Sequence, residues 1–422
     1  MALPFFGGLH YHACNNRKHS HDFKGDLVND LINSPPDRPR PGTLRRGLLT
    51  LAAMLLPVVA LFGALEIGAR VWELWNPPMR VDLGQGFDDS SRLFLPSAKD
   101  RARMATNPDK LVSFRDEFFA KIKAPRTLRI FALGGSSVNY AKPYFDDMTR
   151  RLKEELKARY DAVEVIDCGG LSYGSHRLVL IAREVVQYDP DVVLFYEAHN
   201  EFEELQQLGL ANLPAASTQR TLSHSALYRF IRDLLAKRQI SRLETEKRQR
   251  DLANALPDAS KSWMHKFTPE EIAGRMQAFH DNLTAIVRLC REHSVPVILG
   301  SVPSNLIKPS LPGPEGARYE KEVLPLFATG EWEKGAALGR EILKNASPRH
   351  QSSDTENGIL RALCRDMDVP LADVGAAVIA TEPHQVPGET LFSDHCHLNG
   401  PGNEILGHVY EQKILALIAP DR

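Results

Sequence analysis

Cysteine is scarce in this 422-residue chain: Cys14, Cys168, Cys290, Cys364 and Cys396 are the five, and none pair in a C-x-x-C spacing. That excludes a zinc ribbon and a dense disulfide framework, since both need closely spaced thiols. Cys290 and Cys364 stand in similar settings, "LCREHSVPV" and "LCRDMDVPL", and read as core thiols on helices that precede strands. An excess of either charge is also missing, with 52 basic residues against 53 acidic ones. No whole-chain field therefore points to nucleic acid or to an anionic surface as a partner. A complete G-x-G-x-x-G, a G-x-x-x-x-G-K-S/T run and an H-E-x-x-H pair are absent too. These are the usual signs of dinucleotide, nucleoside-triphosphate and zinc-hydrolase sites, so neither a cofactor nor a metal is expected.

Uncharged apolar runs are short almost everywhere, with one exception. "GLLTLAAMLLPVVALFGAL", Gly47 to Leu65, is 19 residues without a charge. At about 1.5 Å per residue it is roughly 28 Å long, enough to cross a bilayer core. Arg45 and Arg46 precede it, and Trp72 and Trp75 follow it, which are interface-type flanks. The expected organisation starts with a cytoplasmic, disordered tail over 1–46 and a single membrane anchor over 47–69. Seven basic residues (Arg17, Lys18, Lys24, Arg38, Arg40, Arg45, Arg46) outnumber four Asp in the tail, which places everything after Trp75 on the exported, periplasmic side. The Arg-Arg pair also suits an export signal, but no small-x-small cleavage site stands out, which favours a retained anchor.

A connecting segment follows over 76–126, and then apolar strand-like runs alternate with helical patterns, the signature of an α/β domain with a mainly parallel sheet. The runs are "TLRIFAL" (127–133), "AVEVIDC" (162–168), "DVVLFYE" (191–197), "VPVILGSV" (295–302) and "VPLADV" (369–374). Helical spacing fits "YFDDMTRRLKEELKARY" and "RMQAFHDNLTAIVRLCREH" between them. Two stretches interrupt the alternation within a domain expected over 127–420: a charged helical insertion at 203–266 and a helical hairpin at 316–346 that turns at Gly330. The hairpin resembles one tetratricopeptide unit, too little to stack into a solenoid.

The first strand of this alternation ends in "ALGGSSVNY". Open parallel sheets bind their ligands at the carboxyl ends of strands, so a serine there is well placed to attack. A serine after Gly-Gly also suits a helix cap. As a nucleophile it needs a base and an orienting partner, and "LFSDHCHLNGPGNEILG" near the end of the chain offers both. Three residues apart, Asp394 can hold one imidazole nitrogen of His397 and leave the other free for the serine proton. Metal binding by this loop would want further ligands, and neither an H-E-x-x-H nor a 2-His-1-carboxylate run supplies them elsewhere. Oxyanion donors are available at two other strand ends: the Gly169 N–H in "VIDCGGLSYG" and the Asn200 amide in "LFYEAHNEF".

Ser, Gly, Asn, then Asp-x-x-His, in that order at successive strand ends, resembles the SGNH/GDSL hydrolase superfamily. "GGSS", "DCGG", "AHNEF" and "DHCHLN" stand at its four blocks, and the match covers about Thr127 to Leu417. Membrane-anchored bacterial members with a "GHNEF" block and a "D-H-x-H-x-N" ending look most similar. The resemblance implies a flavodoxin-like three-layer α/β/α sandwich and hydrolysis of an ester through an acyl-enzyme. It implies Ser136 as nucleophile, His397 as base and Asp394 as orienting acid. Ser136, Gly169 and Asn200 would be the oxyanion donors, and Glu201, Asn305 and Asn399 supporting residues. Ala198 departs from the family, which usually has Gly there, and adds a methyl near the oxyanion site. The expected function is an anchored serine esterase acting on O-acyl groups of a cell-envelope glycan or lipid. The alternatives are acyl transfer to an exopolysaccharide hydroxyl by the same triad, and an inactive scaffold that binds a partner through the insertion and the hairpin.

Overall fold

The computed structural model describes residues 41–76, 92–202, 267–311, 313–346, 349–388 and 390–418, with short stretches between 222 and 238. The expected tail over 1–40 and most of the 203–266 insertion lie outside the described residues. The chain divides into two compact units, Met1–Ala64 and Leu65–Arg422. Helix α1 (Pro41–Trp75) contains a stretch, Leu49–Glu73, long and apolar enough to span a membrane.

The five expected runs form strands β4 (Thr127–Gly134), β5 (Ala162–Gly169), β6 (Val192–Tyr196), β7 (Val297–Gly300) and β8 (Leu371–Ala372). All pair in parallel, in the order β5-β4-β6-β7-β8. A strand buried on both faces has no polar side to alternate, which is why β4 and β6 are apolar along nearly their whole length. Two helical layers enclose the sheet. In one, α2 (Ser136–Glu155) packs on α10 (Gly400–Ile418), and α10 on α9 (Val374–Thr381). In the other, α3 (Ser175–Val185) packs on α4 (Pro269–Glu292), and α4 on α8 (Asp354–Asp366). This is the α/β/α sandwich with a parallel sheet.

The segment read as a plain connection is partly structured. Three short strands, β1 (Phe94–Pro96), β2 (Arg103–Thr106) and β3 (Phe118–Ala120), form an antiparallel sheet. Phe94 and Phe119 meet edge-on at 4.9 Å and pack with Phe131 of β4 and Tyr188, so an aromatic cluster fastens this sheet to the domain. Glu184 accepts from the backbone N–H groups of Leu93 and Phe94 and fixes the approach of β1.

The helical hairpin consists of α5 (Gly313–Glu322), α6 (Leu324–Ala328) and α7 (Trp332–Asn345), turning at Gly330 with φ +81°. It has a small core of its own around Tyr319, Val323, Phe327 and Ile342.

Candidate active site

Strand β4 lies between β5 and β6, the point where the winding of the sheet reverses and a crevice opens at the carboxyl ends of the strands. The chain leaves β4 through Gly134 and Gly135, and α2 begins at Ser136. The turn requires both glycines. A Cβ on Gly134 would lie 2.4 Å from the Tyr196 carbonyl oxygen, and one on Gly135 would lie 2.3 Å from Asn200 Nδ2. Ser136 thus stands at the positive end of a helix, where its N–H has no intrahelical acceptor. Ser137 points inward and is 7% exposed, with no partner for its hydroxyl among the described residues.

The Asp-x-x-His loop comes to the same crevice from the far end of the chain. Ser136 Oγ is 2.7 Å from His397 Nε2, and His397 Nδ1 is 2.7 Å from Asp394 Oδ2. Asp394 Oδ1 accepts from the backbone N–H groups of Cys396 (2.8 Å) and His397 (2.7 Å). A carboxylate only accepts, so His397 Nδ1 carries the proton and Nε2 is left bare toward the serine. Burial alone would raise the Asp394 pKa, but the hydrogen bonds from the His397 ring and the two backbone N–H groups outweigh it and hold the carboxyl well below its usual range. The Tyr140 ring lies against the His397 ring, centroids 4.9 Å apart, and forms an outer wall of the site.

Asn200 sits at the β6 end of the crevice. Its backbone N–H donates to Glu197 Oε1 (2.7 Å), and its Nδ2 donates to the Tyr173 carbonyl (3.1 Å) and to Glu197 Oε2 (3.3 Å). Gly169 is placed differently from the expectation. It closes β5 opposite Gly134, and its N–H donates to Asp167 Oδ1 at 2.6 Å, so it is not offered to an oxyanion. Gly174, the N-cap of α3, follows Tyr173 in an extended conformation. Ala198 is buried and belongs to the main core.

The three supporting residues hold backbone. Asn305 donates from Nδ2 to the Asp394 carbonyl (3.0 Å) and from its N–H to the His395 carbonyl (3.1 Å), clamping the loop that carries Asp394 and His397. Asn399 accepts from Gly402 N–H (3.1 Å) and donates to the Thr390 carbonyl, fixing the start of α10. Glu201 points away from the serine: it accepts from Ser175 N–H and Oγ and forms a buried ion pair with Arg275, which ties α3 to α4.

Four further polar residues have no role in the expected site. His350 and His395 stand in contact with each other, His395 with its pKa lowered to about 4 by burial and by His350. On β5 and beside it, burial pushes Asp167 up to about 8 and Glu117 up to about 7, Lys142 offsetting part of the latter. Asp394, His395 and Cys396 are the described residues whose ligand atoms come within 4.8 Å of one another, as a cation would require. Both Asp394 oxygens are, however, already engaged by His397 and the loop backbone. No disulfide joins the described cysteines: Cys168, Cys290, Cys364 and Cys396 are buried thiols.

No family model and no curated protein matches the chain. Solved structures that it resembles include a GDSL-like lipase from Bacteroides thetaiotaomicron, at 12% identity and TM-score 0.37, covering 71% of this chain and 93% of that one. Another is the acetyl xylan esterase AlAXEase, at 13% identity and TM-score 0.37, covering 68% and 100%. A third is a catalytic mutant of the acetylxylan esterase Axe2 from Geobacillus stearothermophilus, at 11% identity and TM-score 0.37, covering 70% and 96%.

Proposed function

We propose that this chain is a serine esterase of the SGNH/GDSL type, tethered to a membrane by α1, with its catalytic unit outside the cytoplasm. The observation that carries the reading is the line Ser136 Oγ, His397 Nε2, His397 Nδ1, Asp394 Oδ2, with both links at 2.7 Å. In the first half-reaction Ser136 Oγ attacks the ester carbonyl as its proton passes to His397 Nε2. The imidazolium is stabilised by Asp394 and returns the proton to the leaving alcohol as the C–O bond breaks. Water then repeats the sequence on the acyl-enzyme, releasing the acid and restoring Ser136.

The negative oxygen of each tetrahedral intermediate is met by the Ser136 N–H at the start of α2 and by the Asn200 amide, whose longer bond, to Glu197, is the one an oxyanion would replace. An open crevice outside the cytoplasm suits O-acyl groups of a cell-envelope glycan or lipid as the substrate.

Turnover of p-nitrophenyl acetate and butyrate by the full chain in detergent tests this reading. Ser136→Ala and His397→Ala are expected to abolish it while Ser137→Ala retains it. A folded parent without activity, or a Ser136→Ala protein as active as the parent, would remove the main support. Adding an oligosaccharide acceptor separates hydrolysis from acyl transfer, since strict dependence on the acceptor would mean the acyl group leaves to a sugar hydroxyl.

A further inference from the structure

Between the hairpin and α8 the chain runs as a strap, Arg349 to Ser353, directly across the β6 end of the crevice. Most of it is fixed from both sides. Buried Arg349 pairs with buried Glu356. Gln351 Oε1 accepts from Ser310 N–H at 2.7 Å. Ser352 donates from its N–H to His199 Nδ1 (3.0 Å) and from Oγ to the Val302 carbonyl (2.7 Å). His350 is the strap residue that faces the site: its Nε2 is 3.1 Å from Asn200 Oδ1, and its Nδ1 is 3.1 Å from His395 Nε2.

The proton positions follow from the partners. Asn200 Nδ2 has two acceptors, Tyr173 O and Glu197 Oε2, so the atom facing His350 is the amide oxygen, and His350 Nε2 must donate to it. A neutral His350 then offers a bare Nδ1, and His395 Nε2–H donates to that. His395 sits between Asp394 and Cys396 in the loop of the acid and base, where Asn305 clamps its backbone. A chain of hydrogen bonds, Asn200 to His350 to His395, therefore spans from the oxyanion side of the crevice to the base side.

We propose that His350 is a positioning residue for catalysis: it holds the Asn200 amide so that Nδ2–H faces the nucleophile's turn, and His395 holds His350 in the tautomer that can do so. This rests on the esterase reading, in which Asn200 is an oxyanion donor. A side-chain amide is nearly symmetric in shape, and turned over it would present a carbonyl oxygen to the oxyanion. A donor on the far side makes that turn cost a hydrogen bond.

A double-mutant cycle on p-nitrophenyl butyrate hydrolysis tests the proposal, with kcat and KM measured for the full chain in detergent. Residues that orient a reacting group typically cost about 10- to 100-fold when removed. His350→Ala is expected to lose about that much in kcat with KM nearly unchanged, and His350→Gln, which keeps a side-chain donor, to recover most of it. In an Asn200→Ala background the same His350→Ala change is expected to cost less than about threefold, because the group it positions is gone. A merely structural role predicts otherwise: an equal loss in both backgrounds, or a change confined to KM, overturns the proposal. Should His350→Ala fail to fold, His395→Ala breaks the chain from its other end and enters the same cycle with the same two outcomes. If Asn200→Ala is fully active while Ser136→Ala is dead, this proposal fails and the esterase reading stands. If Ser136→Ala matches the parent, the esterase reading fails and takes the proposal with it.

Discussion

Asp394 engages both of its oxygens within its own loop, one on the His397 ring and one on two backbone N–H groups. In Asp394→Asn the amide would present an N–H to one of these donors and turn His397 to the wrong tautomer, and turnover is expected to fall about 10³- to 10⁴-fold with little change in KM. Gly135→Ala is expected to lose both activity and thermal stability, because its methyl would meet Asn200 Nδ2 and Glu197 Oε2, each at 2.3 Å. The buried Asp167 gives a pH signature. Its pKa is raised in the folded state, from 3.8 to about 8, mainly by burial, so the folded chain keeps a proton there that the unfolded chain gives up. Stability is therefore lost as pH rises from about 4 to about 8 and is flat above that. Asp167→Asn is expected to raise the melting temperature at pH 8 and to leave it nearly unchanged at pH 4; an equal shift at both would show that the charge is not the cause. Ser136, Asp394 and His397 could be paired from sequence because the chemistry demands a serine, a base and an acid, and the loop supplies the last two side by side. Gly169 could not be judged that way, since a glycine pair marks where the backbone turns but not where its N–H points. His350 carried no signal at all: its partner Asn200 is 150 residues away and the strap around it matches no motif.

Among the elements, the five parallel strands were legible because burial on both faces forces unbroken apolar runs. β1 to β3 were not, since strands of three or four residues are too short to show a period, and their aromatic packing is a tertiary fact. The periodicity that located α2 begins near Tyr144, whereas the helix starts at Ser136, because its first turns are set by the Gly135 N-cap and packing against the sheet. Arg275 and Glu201, nearly fully buried, join α4 to the start of α3. Arg275→Met would leave that carboxylate without its cation, and denaturant unfolding is expected to show a loss of about 3 kcal/mol or more. Gly330→Ala forces a Cβ into φ +81° at the hairpin turn and is expected to cost about 1 kcal/mol, with ester turnover unchanged.

On the scale of the whole molecule, the proposed anchoring by α1 can be tested directly. The full chain is expected to stay with the membrane fraction after alkaline carbonate washing, and a C-terminal alkaline phosphatase fusion to be active while a cytoplasm-dependent fluorescent fusion is dark. The reverse reporter pattern would place the catalytic unit inside. The separation of Ser136 from His397, 261 positions along the chain, has a temporal meaning as well. Synthesis runs from the amino end, so the nucleophile's turn emerges long before its base, and the last helix, α10, which packs against α2, is made after both. Until the segment that carries His397 has left the ribosome, Ser136 has no imidazole beside it, so the proposed ester cleavage can begin only once that segment folds back against the start of α2.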